Sequence, residues 1–170
     1  DFSLSPLVGY LISILKLLAF PDSDREGLNV IDSPYFGASR ADVKRICDDA
    51  SAGSRTILEE LLCLSEGEGG PLQDESSVSA VRRFAEAYKV LRSSVEEGAP
   101  LSVIVYRAMS ELVLKPLFDR AEDDGEGIGN ELSNLKKFLD FSVEYEEVAG
   151  KVGLGRDFAD FVGYLDDAMG

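Results

Sequence analysis

The chain has 170 residues, 45% of them hydrophobic, which is enough apolar material for one domain with a core and too much for a disordered segment. Its 32 acidic residues against 17 basic ones give a formal charge of −15. That balance argues against strong non-specific binding of nucleic acid by the chain alone, though not against a local basic patch. The sequence has no His, so the commonest general base and metal ligand is missing.

From the N-terminus onward, apolar residues recur at helical period and almost no window alternates as a strand does. The expected fold is all-α: a single domain over residues 1–170 with about eight to nine helices around one core. LVGYLISILKLLAF, residues 7–20, is too short to span a bilayer, is interrupted by Lys16 and has no basic leader. It predicts a buried helix with Ser5 as N-cap, Pro6 at the first helical position and a stop at Pro21, and no membrane partner. A second short helix opens at Asp22 or Ser23 and is broken at Ser33-Pro34. After a Gly37-Ala38-Ser39 turn comes SRADVKRICDDAS, with Ser39 as N-cap, Asp42 completing a near capping box, and Val43, Ile46 and Cys47 on the apolar face. SRTILEELLCLS predicts a further helix, and EGEGGPLQDES, residues 66–76, a mobile, protease-sensitive loop.

In the second half, ESSVSAVRRFAEAYKVLRSSVEEG is a long amphipathic helix with Val78, Val81, Phe84, Ala85, Tyr88 and Leu91 on one face, stopped by Gly98. PLSVIVYRAMSELVL, led by Pro100, is apolar nearly all round and is expected at the centre of the fold. KPLFDRAE follows as a short helix, and DDGEGIGN, residues 123–130, as a second acidic, Gly-rich loop. NELSNLKKFLDFSVEYEEVAG places Leu132, Leu135, Phe138, Leu139, Ser142, Val143 and Glu146 on one broad face. A last helix carries Phe158, Phe161, Val162 and Leu165.

Chemistry-bearing motifs are scarce. No Walker-type Gly-rich loop with Lys-Ser/Thr is present, and GEGIG at 125–129 lacks the strand that such a loop follows. The carboxylate doublets, such as Asp48-Asp49 and Glu146-Glu147, occupy adjacent helical positions that do not face one another. Cys47 and Cys63 fit no zinc spacing and read as buried, reduced thiols of a cytosolic protein. No catalytic residue, cofactor site or metal site is therefore expected in this segment. The one place suited to a ligand is the turn before the third helix. There a helix N-terminus, the Ser39 hydroxyl and Arg40 converge, with Lys44 and Arg45 on the following turn, a setting that suits phosphate. Arg82-Arg83 and Lys136-Lys137 read as solvated faces.

The order of these features resembles the 2B subdomain of UvrD/Rep-type superfamily 1 DNA helicases. The likeness is carried by LVGYLISILKLLAFPDSDREGLNVIDSPYFGASRADVKRI, by AVRRFAEAYKVLRSS followed by APLSVIVYRAMSELVL, by ELSNLKKFLDFSVEYEE with its Asn134-Leu135, and by DFADFVGYLDDAM. It covers nearly the whole chain and rests on order and spacing. The resemblance implies an all-helical insertion from a longer, cytoplasmic, ATP-dependent helicase, in keeping with a chain that starts on Asp1. ATP and Mg would belong to the parent's motor domains. The arm would contact duplex DNA, or the single-strand/duplex junction, and regulate the motor by swivelling against it. It further implies a DNA contact at the Gly-hydrophobic-Gly turn, carried here by Gly37, Ser39, Arg40 and Lys44. Ser39 stands in place of the second Gly, and Phe36 where a basic residue is common. The competing reading is a stand-alone acidic helical module that binds a basic partner.

Overall fold

The computed structural model describes residues 5–120, 125–152 and 157–169. These residues are all-α, with no strand among them. The elements are α1 (Pro6–Ala19), α2 (Asp24–Ile31), α3 (Arg40–Ala52), α4 (Ile57–Ser65), α5 (Glu75–Glu96), α6 (Leu101–Ala108), a π-helical turn (Met109–Leu114), α7 (Lys115–Arg120), α8 (Gly125–Val152) and α9 (Phe158–Met169). No helix of the described residues is long and apolar enough to cross a membrane.

The centre is α1, not the segment led by Pro100. Val8, Leu11, Ile14, Leu15, Leu17 and Leu18 are all 0% exposed, and α1 packs on α2, α5, α6, α8 and α9. Each such side chain contributes about 1.5–3 kcal/mol by leaving water. The local sequence supports the helix at both ends. Pro6 is at the first position and Ser5 Oγ accepts from Val8 N at 3.3 Å. At the other end, Tyr88 Oη donates to the Leu17 carbonyl at 3.1 Å and Arg92 Nη1 to the Leu18 carbonyl at 2.6 Å, satisfying acceptors that no further helical turn could reach. Lys16, which breaks the apolar run, reaches Asp166 of α9 at 2.5 Å.

The Pro100-led segment keeps one wet side. Leu101, Ile104, Val105 and Ala108 are buried, while Tyr106 is 56% exposed and Arg107 is exposed. Its first turn is capped across space, because Ser102 N donates to Glu146 Oε2 at 2.8 Å. The helix then widens into the π turn and runs straight on into α7, so Pro116 does not start a separate helix. Pro116 has no N–H for the carbonyl four residues back, and the widened turn lies directly before it.

Three further expectations are corrected. Residues 125–130 of the second acidic loop are the first turns of α8, while residues 123 and 124 lie outside the described part. An apolar stripe that nucleates a helix can carry it back through glycines at about 1 kcal/mol each. Ser5 Oγ also ties this end down by donating to Glu131 Oε2 at 3.0 Å. On α8, Leu135, Phe138 and Ser142 are buried as expected, but Val143 is 39% exposed because it lies past the edge of the stripe. Cys47 and Cys63 are free and half-buried, not buried. Burial pushes the Cys47 thiol up, aided by Asp48, Asp24 and Asp32, which leaves it a poor nucleophile.

Candidate nucleic-acid interface

The turn between α2 and α3 is built around Phe36. Ser33 opens it, its hydroxyl accepting from Tyr35 N at 3.2 Å and its carbonyl from Phe36 N at 3.1 Å. Gly37 follows with φ of 97°, a conformation that penalises any residue with a Cβ. Phe36 is 1% exposed and meets the Phe84 ring edge-on with centroids 5.8 Å apart. It is therefore the core anchor of the turn, which explains an apolar residue where the resemblance would place a basic one.

The backbone of the turn is committed to α5. Arg83 Nη2 donates to the Phe36 carbonyl at 3.2 Å, and Ser39 N donates to Ser77 Oγ at 3.0 Å. Ser39 caps α3 as predicted, its hydroxyl accepting from Asp42 N at 3.2 Å. The other half of the expected capping box is absent. The Asp42 side chain turns away from Ser39 N and accepts from Gln73 N at 2.8 Å and Asp74 N at 3.0 Å instead. Burial pushes the Asp42 carboxyl up, but the hydrogen bonds from Gln73, Ser77, Asp74 and Ser39 outweigh it and hold the group below the ordinary carboxylate range. An ionised carboxylate with no exposed surface thus sits in the first turn of α3, where the helix dipole favours a negative charge. The chain's own Asp42 takes up much of what makes this N-terminus attractive to an anion.

Of the four predicted site residues, Gly37 and Ser39 shape the turn, and Arg40 and Lys44 are exposed one helical turn apart on α3. Lys44 Nζ is held by Asp48 at 2.8 Å, which raises its pKa. Arg40 sits on the lip of a shallow cleft of about 260 Å³ that is also lined by Asp32, Ser33 and Pro34. Tyr35, beside the turn, has its pKa raised by burial and by Glu131. The local field is mixed, with the cations outermost and the carboxylates behind and beside them. A phosphate could meet Arg40, the outward first turn of α3 and, once released from Asp48, Lys44. Such contacts would position nucleic acid without reading its sequence.

Asp42 and Ser77 escaped notice as a unit because they act across 35 residues of sequence. The only local signal was the Asp at the capping-box position. Among the described residues no group of three or more Cys, Asp or Glu side chains is arranged to hold a metal ion. Compared with known families and with curated proteins, the chain matches no family model and no relative.

Proposed function

We propose that the chain is a non-catalytic accessory arm of an ATP-dependent DNA helicase of the UvrD/Rep type, working in the cytoplasm and touching duplex DNA near the unwinding junction. In this reading ATP and Mg act in the motor domains, and the arm regulates them by swivelling. One observation carries the DNA contact. The turn is pinned at Phe36 and at Ser39, so that Arg40 and Lys44 are presented outward from a rigid support. The acidic background fits a contact that is weak in isolation and gains from tethering, since linkage supplies an effective concentration on the order of mM.

The test is fluorescence anisotropy with a duplex bearing a single-stranded tail, from low to physiological salt. We expect weak binding by the isolated chain that falls steeply with salt and is abolished by Arg40→Glu with Lys44→Glu. If that double change leaves junction binding and unwinding unaltered when built into a helicase carrying this arm, the contact does not exist.

A further inference from the structure

A cavity of about 680 Å³ lies between α5 and the rod formed by α6 and the π turn. Arg82, Arg83 and Arg107 line it, together with Glu86, Val90 and Leu91. Its charge runs against that of the molecule. Lys16, Lys44, Arg45, Arg55, Lys89, Arg92, Lys115 and Lys136 each have a carboxylate within 4.0 Å. Arg82 and Arg107 have none among the described residues, as is also true of Arg25, Arg40, Lys137 and Lys151, but only Arg82 and Arg107 of these line one cavity together. Arg107 is aimed rather than loose, because its Nη1 donates to Ser94 Oγ at 3.2 Å. Of the two carboxylates that line the cavity, Glu111 is engaged by Lys115 Nζ at 2.8 Å through both oxygens. Glu86 is the other, with no ion pair to a described residue.

The groove also offers apolar surface. Val90 is 62% exposed in the middle of α5, beside half-buried Ala87 and over buried Leu91. From Ser79 to Val90 the α5 wall is about 16 Å long at 1.5 Å per residue, the length of about three helical turns. A sugar-phosphate backbone would use the guanidinium groups but has nothing to place on Val90. A peptide helix with carboxylates beside an apolar side chain uses both, and the guanidinium fork suits carboxylates two at a time.

We propose that this groove docks an acidic amphipathic helical segment of a partner protein, its carboxylates on Arg82 and Arg107 and an apolar side chain on Val90. This partner is opposite in charge to the one that the bulk composition suggests. The probe is a fluorescein-labelled synthetic peptide of about 14 residues with Leu at three- and four-residue steps and Glu flanking them, titrated with the purified chain. We expect saturable binding that weakens at least tenfold in Arg82→Glu with Arg107→Glu, and again in Val90→Asp. Arg40→Glu with Lys44→Glu should leave it unchanged, which separates this groove from the turn. All these residues are exposed, and unchanged circular dichroism and melting would establish that each variant is folded. No binding of the peptide up to millimolar chain, or equal binding by the Arg82/Arg107 variant, overturns the proposal. So does a labelled oligonucleotide that binds through the same two arginines when the peptide does not.

Discussion

Two buried side chains show at residue scale how this acidic chain manages polar groups, and they set opposite limbs of its pH profile. Asp42 joins α3 to the start of α5 through Gln73 N and Asp74 N. Removing a fully buried acceptor of two backbone donors leaves both unsatisfied, so Asp42→Ala should cost about 2–4 kcal/mol, and Asp42→Asn, which keeps one oxygen, less. The folded Asp42 carboxyl lies below its unfolded range. Its stabilisation is therefore complete above the unfolded value near 4 and is lost as pH falls through the folded one. Tyr88 behaves in the other direction. Burial pushes its hydroxyl up to about 12. The folded state then holds a proton that the unfolded state releases near pH 10, so stability falls as pH rises from about 10 to 12. Urea titrations across the pH range should show Asp42→Asn flattening the acid limb and Tyr88→Phe the alkaline limb. If both variants keep the parent's profile, the pH dependence arises elsewhere.

At the scale of elements, two glycines inside helices separate propensity from packing. Gly9 in α1 is exposed, and a Cβ built there would meet nothing within 4 Å. Gly9→Ala should raise stability by about 0.5–1 kcal/mol, the helix preference of Ala over Gly. Gly27 in α2 is buried against α4, where a new Cβ would lie 3.1 Å from Ile57 Cβ. That atom cannot swing aside, and Ile57 N is itself bonded to Asp24 Oδ1 at 2.9 Å. The two helices must part, so Gly27→Ala should destabilise by about 1 kcal/mol or more despite the same gain in propensity. Thermal melts of the pair check this, and a stabilised Gly27→Ala would mean that α2 and α4 separate readily. The same contrast marks what the sequence made legible. Caps and stripes are local, and they placed α1, α3, α5 and α9 with Ser5, Ser39, Gly98 and Phe161 in their roles. The central position of α1, the onset of α8 at Gly125 and the continuous rod through Pro116 depend on neighbours far along the chain, which periodicity does not report. At the candidate site, Gly37, Ser39 and Arg40 were legible as a turn feeding a helix. The Asp42–Ser77 connection that occupies its inner face, and the alignment of Arg107 with Arg82, were not, because each joins segments about 25 or more residues apart.

For the whole molecule, the charge of −15 acts against folding as well as against anions. Among the described residues, five of the eight ion pairs join residues four apart along one helix and are largely exposed, so each contributes little. Self-repulsion among 32 acidic side chains opposes folding, and salt screens it within a Debye length of about 10 Å at 0.1 M. The melting temperature should therefore rise by several degrees between about 10 mM and 0.5 M NaCl, by the scale that relates a kcal/mol to melting temperature in a domain of this size. The arginine groove sharpens the prediction. Arg82→Glu with Arg107→Glu takes the net charge from −15 to −19 and removes two of the cations that line the cavity with Glu86. That variant should melt lower at low salt and converge toward the parent as salt rises. Scanning fluorimetry across the salt series measures both slopes. A parent chain whose melting temperature falls with salt would mean that paired charges, not repulsion, dominate.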